Sequence, residues 1–229
     1  PPGRYPAAVP PTPGGTALGP MLVAAIDADD EDAARALVDR DPSVLRAVCD
    51  GGSIVRRAAR AGFVSLLAHI VDLEVGLDLG DAAAAGDVVR VQALIDADPD
   101  AVDAVGGDGY RALHVAAYYG QVKVAELLLN RGASVDAVSD NAYAMQPLHA
   151  AASRAHAVVV HLLLDHGADV DAPMTGGYRP LHAAADGGHA AMVQLLLERG
   201  ADPNGRTDAG LLAVDIVEDP DTQAVLRAV

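Results

Sequence analysis

Eight histidines, one cysteine and a heavy load of aspartate are the side chains of this 229-residue chain that could do chemistry. Three of the histidines, His114, His149 and His182, recur at intervals of 35 and 33 residues, each directly after a leucine. His156, His161 and His166 fall five residues apart, which spreads them around a helix and does not suit a metal. Adjacent acids such as Asp29 and Asp30 do not face each other and form a solvated surface. The run GGDG at 106–109 is a turn, because it lacks the lysine and the helix context of a phosphate loop. Cys49 has no neighbouring base and is expected to be inert. No catalytic residue, no metal and no cofactor are expected.

The elements that must position these side chains repeat along the chain. RALHVAAYYGQVKVAELLLNRGASVDA from Arg111, QPLHAAASRAHAVVVHLLLDHGADVDA from Gln146 and RPLHAAADGGHAAMVQLLLERGADPNG from Arg179 are three copies of one unit. Their marker leucines, Leu113, Leu148 and Leu181, are 35 and 33 residues apart. Weaker copies align Val214 downstream and Leu79, Val55 and Leu22 upstream, at steps of 33 or 34 except for the 24 residues from Val55 to Leu79. Pro147 and Pro180 suit the first turn of a helix, where a missing N–H costs nothing. The alanine pairs at 116–117, 151–152 and 184–185 favour helix and let neighbouring copies approach closely. Gly120 can end that first helix in a left-handed conformation. The triple leucines at 127–129, 162–164 and 195–197 predict a second helix buried against its neighbours, stopped by Gly132, Gly167 and Gly200. No copy can bury its apolar face alone, so the copies must stack and the end copies must be atypical.

Period and motif together resemble the ankyrin repeat, over about residues 21–229. The resemblance implies an all-α solenoid of helix–turn–helix units joined by short β-hairpins, with about seven repeats including caps. These lie near 21–50, 53–75, 78–104, 108–138, 142–173, 176–206 and 209–229. It also implies a non-catalytic protein-binding scaffold or adaptor, and makes His114, His149 and His182 structural residues that hydrogen-bond neighbouring backbone. His189 follows glycine at a frequent family position. Where the family usually has a helix-capping threonine, this chain has Arg111, Gln146, Arg179 and Leu212. None is a good N-cap, and roughly 1 kcal/mol per copy is forgone. Only residues 72–78 join the helices at the short step, too few for a normal hairpin. One finger is therefore expected to be missing, and the rest cluster around 104–111, 137–146, 172–179 and 205–212, with an outlier near 49–54.

In the family, partners are held by the finger tips and the exposed ends of the first helices, on the concave face. That register collects Tyr110, Tyr118, Tyr119, Tyr143 and Tyr178, five of the six tyrosines in the chain. Met145, Arg111, Arg154 and Arg179 join them. Tyrosine and arginine are the usual anchors of interface hot spots. The recognition surface is thus expected in the C-terminal half.

The formal net charge is −16, from 32 acidic and 16 basic residues. Such a surface repels phosphate, so neither nucleic acid nor an anionic membrane is an expected partner, whereas basic proteins are steered toward it. Asp outnumbers Glu 27 to 5 and Arg outnumbers Lys 15 to 1, a skew of GC-rich genomes that points to a bacterial source. The whole pattern is similar to small stand-alone ankyrin proteins of bacteria. No apolar run reaches membrane-spanning length, and the lone cysteine fits a reducing cytoplasm. A cytoplasmic monomer is expected. Seven of the 14 prolines lie in residues 1–20, which read as an extended, poorly ordered tail. Two other functions remain open at this point. The chain is either a targeting module of a larger toxin, effector or enzyme, or an acidic decoy that occupies a basic protein by charge alone.

Overall fold

The computed structural model describes residues 18–46, 48–49, 52–73 and 77–228. The chain divides into two compact units, Pro1–Asp87 and Val88–Val229. The break falls inside the repeat read over 78–104, between its two helices. Most of the Pro-rich tail lies outside the described residues; its last three residues, Leu18 to Pro20, open the first helix.

In the first unit, α1 (Leu18–Asp27) packs on α2 (Glu31–Arg40), and α3 (Ile54–Ala61) on α4 (Val64–Asp72). α5 (Leu79–Ala85) then packs on α3. Short polar side chains start three of these helices. Asp30 accepts from Ala33 N at 2.9 Å, Ser53 from Arg56 N at 3.2 Å and Asp78 from Asp81 N at 2.7 Å. Each such cap satisfies one backbone N–H that the helix leaves without a partner. The predicted outlying finger is a two-residue antiparallel pair, β1 (Val48–Cys49) with β2 (Gly52–Ser53). The side chain of Cys49 lies outside the described set. α4 ends at Asp72 and α5 begins at Leu79; residues 74–76 of the stretch expected to lack a finger lie outside the described residues.

The second unit stacks helix pairs in two layers. The inner layer is α7 (Ala112–Tyr119), α9 (Pro147–Ser153), α11 (Pro180–Asp186) and the short α13 (Ala213–Ile216). The outer layer is α6 (Val88–Ala97), α8 (Val122–Asn130), α10 (Ala157–Asp165), α12 (Ala190–Glu198) and α14 (Pro220–Arg227). Inner helices pack on inner and outer on outer, which is how a repeat that cannot bury its own face becomes stable. Leu113, Leu148 and Leu181 are buried as expected, and so are the alanine pairs. Of each leucine triplet only the middle residue, Leu128, Leu163 or Leu196, is wholly enclosed. Burying a leucine contributes roughly 1.5–3 kcal/mol, and this column holds six of them. The glycine stops also hold: Gly120 caps α7 at φ 69°, and Gly132, Gly167 and Gly200 take φ of 90°, 88° and 95°.

Each finger of the second unit is a turn closed by one backbone bond, too short for a strand ladder. Gly106 N donates to Tyr110 O at 2.8 Å, Ser139 N to Met145 O at 2.8 Å, Met174 N to Tyr178 O at 2.7 Å and Thr207 N to Leu211 O at 2.9 Å. The second finger spans two more residues than the others, which accounts for the 35-residue step from Leu113 to Leu148. Fingers are tied side to side by Asp140 N to Gly109 O at 2.7 Å, Thr175 N to Tyr143 O at 2.9 Å and Asp208 N to Gly176 O at 2.8 Å.

Candidate functional site

The face made by the fingers and the inner helices rests on three buried histidines. His149 Nδ1 accepts from Gln146 N at 3.3 Å and His182 Nδ1 from Arg179 N at 3.1 Å. The other ring nitrogen, Nε2, donates to the next finger: His114 to Met145 O at 2.9 Å, His149 to Tyr178 O at 3.2 Å and His182 to Leu211 O at 3.4 Å. In His149 and His182 a neutral imidazole protonated at Nε2 satisfies both contacts. Burial holds these rings neutral, lowering His114 and His149 to about 4 and lowering His182 as well. The same bonds revise the capping argument for two of the repeats. His114 makes no bond back to Arg111. At Gln146 and Arg179 the third helical residue, His149 or His182, reaches back to the N–H at the threonine position. In the last repeat Asp215 does this, accepting from Leu212 N at 2.9 Å.

The tyrosines on the face differ in role. Tyr110 and Tyr178 are half-buried and tilt against His114 and His182, with ring centroids 5.9 and 5.4 Å apart. They brace the fingers and expose only part of each ring. Tyr143, at the tip of the longer finger, is 42% exposed, while its backbone is fixed from both sides by Asn141 Oδ1 and Thr175 N. Met145 is half-buried, and its carbonyl takes the His114 bond.

At the far end of the inner helices a second cluster forms. Tyr118 and Tyr119 close α7 in an edge-to-face pair, 5.0 Å between centroids at 82°. The exposed guanidinium of Arg154 lies over the Tyr118 ring, 5.2 Å from its centroid. Such edge-to-face and cation–π pairs each contribute on the order of 0.5–1.5 kcal/mol and fix the side chains in place. The backbone below is pinned too, because His156 Nε2 donates to Tyr118 O at 3.0 Å and His189 Nε2 to Ser153 O at 3.2 Å.

Arg111 and Arg179 are committed inside the fold. Arg111 donates from Nε to Asp103 O at 3.0 Å and from Nη1 to Val138 O. Arg179 Nη1 lies 3.5 Å from Asp171 Oδ1 and 3.6 Å from Asp202 Oδ2. Both side chains tie neighbouring fingers at their bases. Among the described residues no group of three or more His, Cys, Asp or Glu could hold a metal ion. No helix among them is long and apolar enough to cross a membrane.

A family model for ankyrin repeats in three copies matches residues 135–207, and one for a single ankyrin repeat matches 108–140. Residues 108–207 are ankyrin repeats. No curated protein matches the chain. Ankyrin repeats are generally protein–protein interaction modules. The structure adds residues that sequence reasoning passed over. Asp103, Asp136 and Asp171 accept the backbone N–H of Ser134, Asp169 and Asp202, each at about 3.1 Å in the following ankyrin repeat. The signal for them is the recurring VDA at each repeat's end. Part of the acidity is therefore structural.

Proposed function

We propose that this ankyrin-repeat protein is a non-catalytic scaffold that grips a protein partner across the finger and inner-helix face of its second unit. The observation that carries this is the cluster of Tyr118, Tyr119 and Arg154. Three large side chains are held by mutual packing at the open end of the inner helices, above backbone already fixed by His156. Side chains held rigid before binding lose little entropy on complex formation, and aromatic and arginine anchors dominate interface energies. Tyr143 and Met145 extend the surface to the fingers. Tyr110 and Tyr178 contribute the exposed part of their rings, and Arg111 and Arg179 serve it indirectly by fixing finger positions.

Photo-crosslinking in the native cell tests the reading. A benzophenone amino acid placed at Tyr119 or Met145 is expected to trap one protein species. The same group at Glu126, exposed on outer helix α8, is expected to trap none. Efficient trapping from Glu126 with silence at Tyr119 and Met145 would move the working surface to the outer helices.

A further inference from the structure

Most arginines of this acidic chain are tied down inside it. Arg57, Arg131 and Arg199 each hold an aspartate of a neighbouring repeat, at 2.6, 2.6 and 2.5 Å, and Arg56 and Arg179 are likewise paired. Arg154 differs. It is exposed, and among the described residues no carboxylate pairs with it. Acids outnumber bases 32 to 16, so a shortage of carboxylates does not explain this. Its position does.

The guanidinium lies over the Tyr118 ring, 5.2 Å from the centroid, and Tyr118 packs edge-to-face on Tyr119. The backbone beneath is fixed as well. Ala155 holds φ 57°, the left-handed conformation that Gly120 and Gly188 take at the matching places, at 69° and 66°. Alanine adopts it only under constraint. His156 supplies that constraint, donating from its backbone N to Ala151 O at 3.0 Å and from its ring to Tyr118 O at 3.0 Å. The offset that lays Arg154 on the preceding repeat brings no side chain beside it from the following one, because the residue in register there is Gly187. The guanidinium is thus held by the ring with its N–H groups open to solvent.

We propose that Arg154 binds an aspartate or glutamate side chain of the protein partner beside the Tyr118 ring. This rests on the reading of the face as the partner-binding surface and names the chemistry recognised at its centre. A partner seated on Tyr118 and Tyr119 strips water from the guanidinium, and no carboxylate of the fold compensates it there. A desolvated charge left unpaired is costly, so the partner must bring the acid. The planar N–H fork fits a carboxylate through two parallel bonds. A phosphate is the poorer match, since it carries nearly two charges and would meet one arginine within a net charge of −16. The cluster lies mid-stack with repeats on both sides, so a partner crossing it presents side chains.

The test is an amide-resolved NMR titration of the whole chain with N-acetyl-glutamate α-amide, whose side chain carries its only carboxylate. N-acetyl-glutamine α-amide is the uncharged isostere, and inorganic phosphate is a third probe. Saturable shifts centred on Tyr119, Arg154 and Ala155 are expected with the glutamate probe and not with glutamine. The net charge repels this anion elsewhere, so the response must be local. Arg154→Gln should weaken it on the order of tenfold or more, as a lost charge-assisted bond does. Tyr118→Ala, which removes only the stacking, should weaken it roughly two- to fivefold. Lys123→Gln removes an exposed cation from outer helix α8 and should leave it unchanged. The proposal is overturned by no saturable response, by equal shifts with glutamine, or by tighter binding of phosphate. A response that survives Arg154→Gln, or is lost equally in Lys123→Gln, also overturns it. Those failures concern Arg154 alone. The wider reading fails separately, when crosslinks from Tyr119 and Met145 trap nothing.

Discussion

Arg56 donates from Nε to Asp81 Oδ1 at 3.0 Å, and the two side chains are each only 11% exposed. Arg56 follows Val55, so it occupies the place that histidine holds in the repeats of the second unit. There the histidine donates to a carbonyl of the next finger; here the next helix, α5, begins only seven residues after α4 ends at Asp72. A longer side chain reaches a carboxylate on α5 instead, and Ser53 Oγ donates to the same oxygen at 2.5 Å. Gly80 stands at the next histidine place and leaves the space, since a Cβ there would meet Arg56 Nη2 at 2.1 Å.

Breaking this pair should therefore be costly, and replacing it should not. Arg56→Ala or Asp81→Ala leaves one buried charge uncompensated and is expected to destabilise the first unit by about 3–5 kcal/mol. The double substitution Arg56→Met, Asp81→Leu is expected to recover most of that loss. Urea unfolding followed by circular dichroism measures both. A double variant as unstable as the worse single variant would show that the tie cannot be replaced by apolar packing.

Acid should weaken the fold well before the carboxylates titrate. His114 and His149 are neutral in the fold because burial lowers them from 6.5 to about 4. A lowered imidazole contributes stability that is fully present above pH 6.5 and is lost as pH falls toward the folded value. The loss is on the order of 2 kcal/mol per histidine by pH 5. Thermal melts at pH 7.5, 6 and 5 are expected to show a falling midpoint. A constant or rising midpoint would contradict the neutral bridging role given to these rings.

Gly187→Ala should destabilise the protein although alanine is the better helix former. The added methyl meets the His189 ring at 2.6 Å and displaces the donor that holds Ser153 O. Overpacking with loss of a buried hydrogen bond costs about 1–3 kcal/mol, against a propensity gain of about 1 kcal/mol. A melting temperature unchanged or raised would mean that the ring moves aside freely.

Much of this architecture is legible in the sequence because apolar period and glycine position are local properties. Leu113, Leu148, Leu181, the alanine pairs and the positive-φ glycines all sit where their spacing puts them. What escaped are relations between repeats. That Asp103, Asp136 and Asp171 bind backbone of the following repeat depends on the stacking offset, which no single copy encodes. The same offset sends Arg111 and Arg179 inward to neighbouring fingers, although their capping-site register suggested exposed anchors. Arg154 over Tyr118 was collected as a member of the face, but its pairing needs the inter-repeat geometry.

Salt separates a shaped face from bulk charge. If anchors dominate, raising ionic strength from 0.05 to 0.5 M should weaken partner binding only several-fold. Fluorescence anisotropy of a labelled partner across that range checks this. Binding that disappears in high salt would favour the acidic-decoy reading.

The most direct test is titration calorimetry of the crosslinked partner, once purified, against the unmodified protein, Tyr118→Ala, Tyr119→Ala and Glu126→Lys. Either tyrosine substitution is expected to cost about 2 kcal/mol, roughly thirtyfold in affinity. Melting temperature should change by only a few degrees, since the His156 bond to Tyr118 O is to backbone and survives. Glu126→Lys is expected to change affinity less than threefold or so, as rim charges do. Normal binding by both tyrosine variants together with loss of binding in Glu126→Lys would contradict the account and assign recognition to the outer helices.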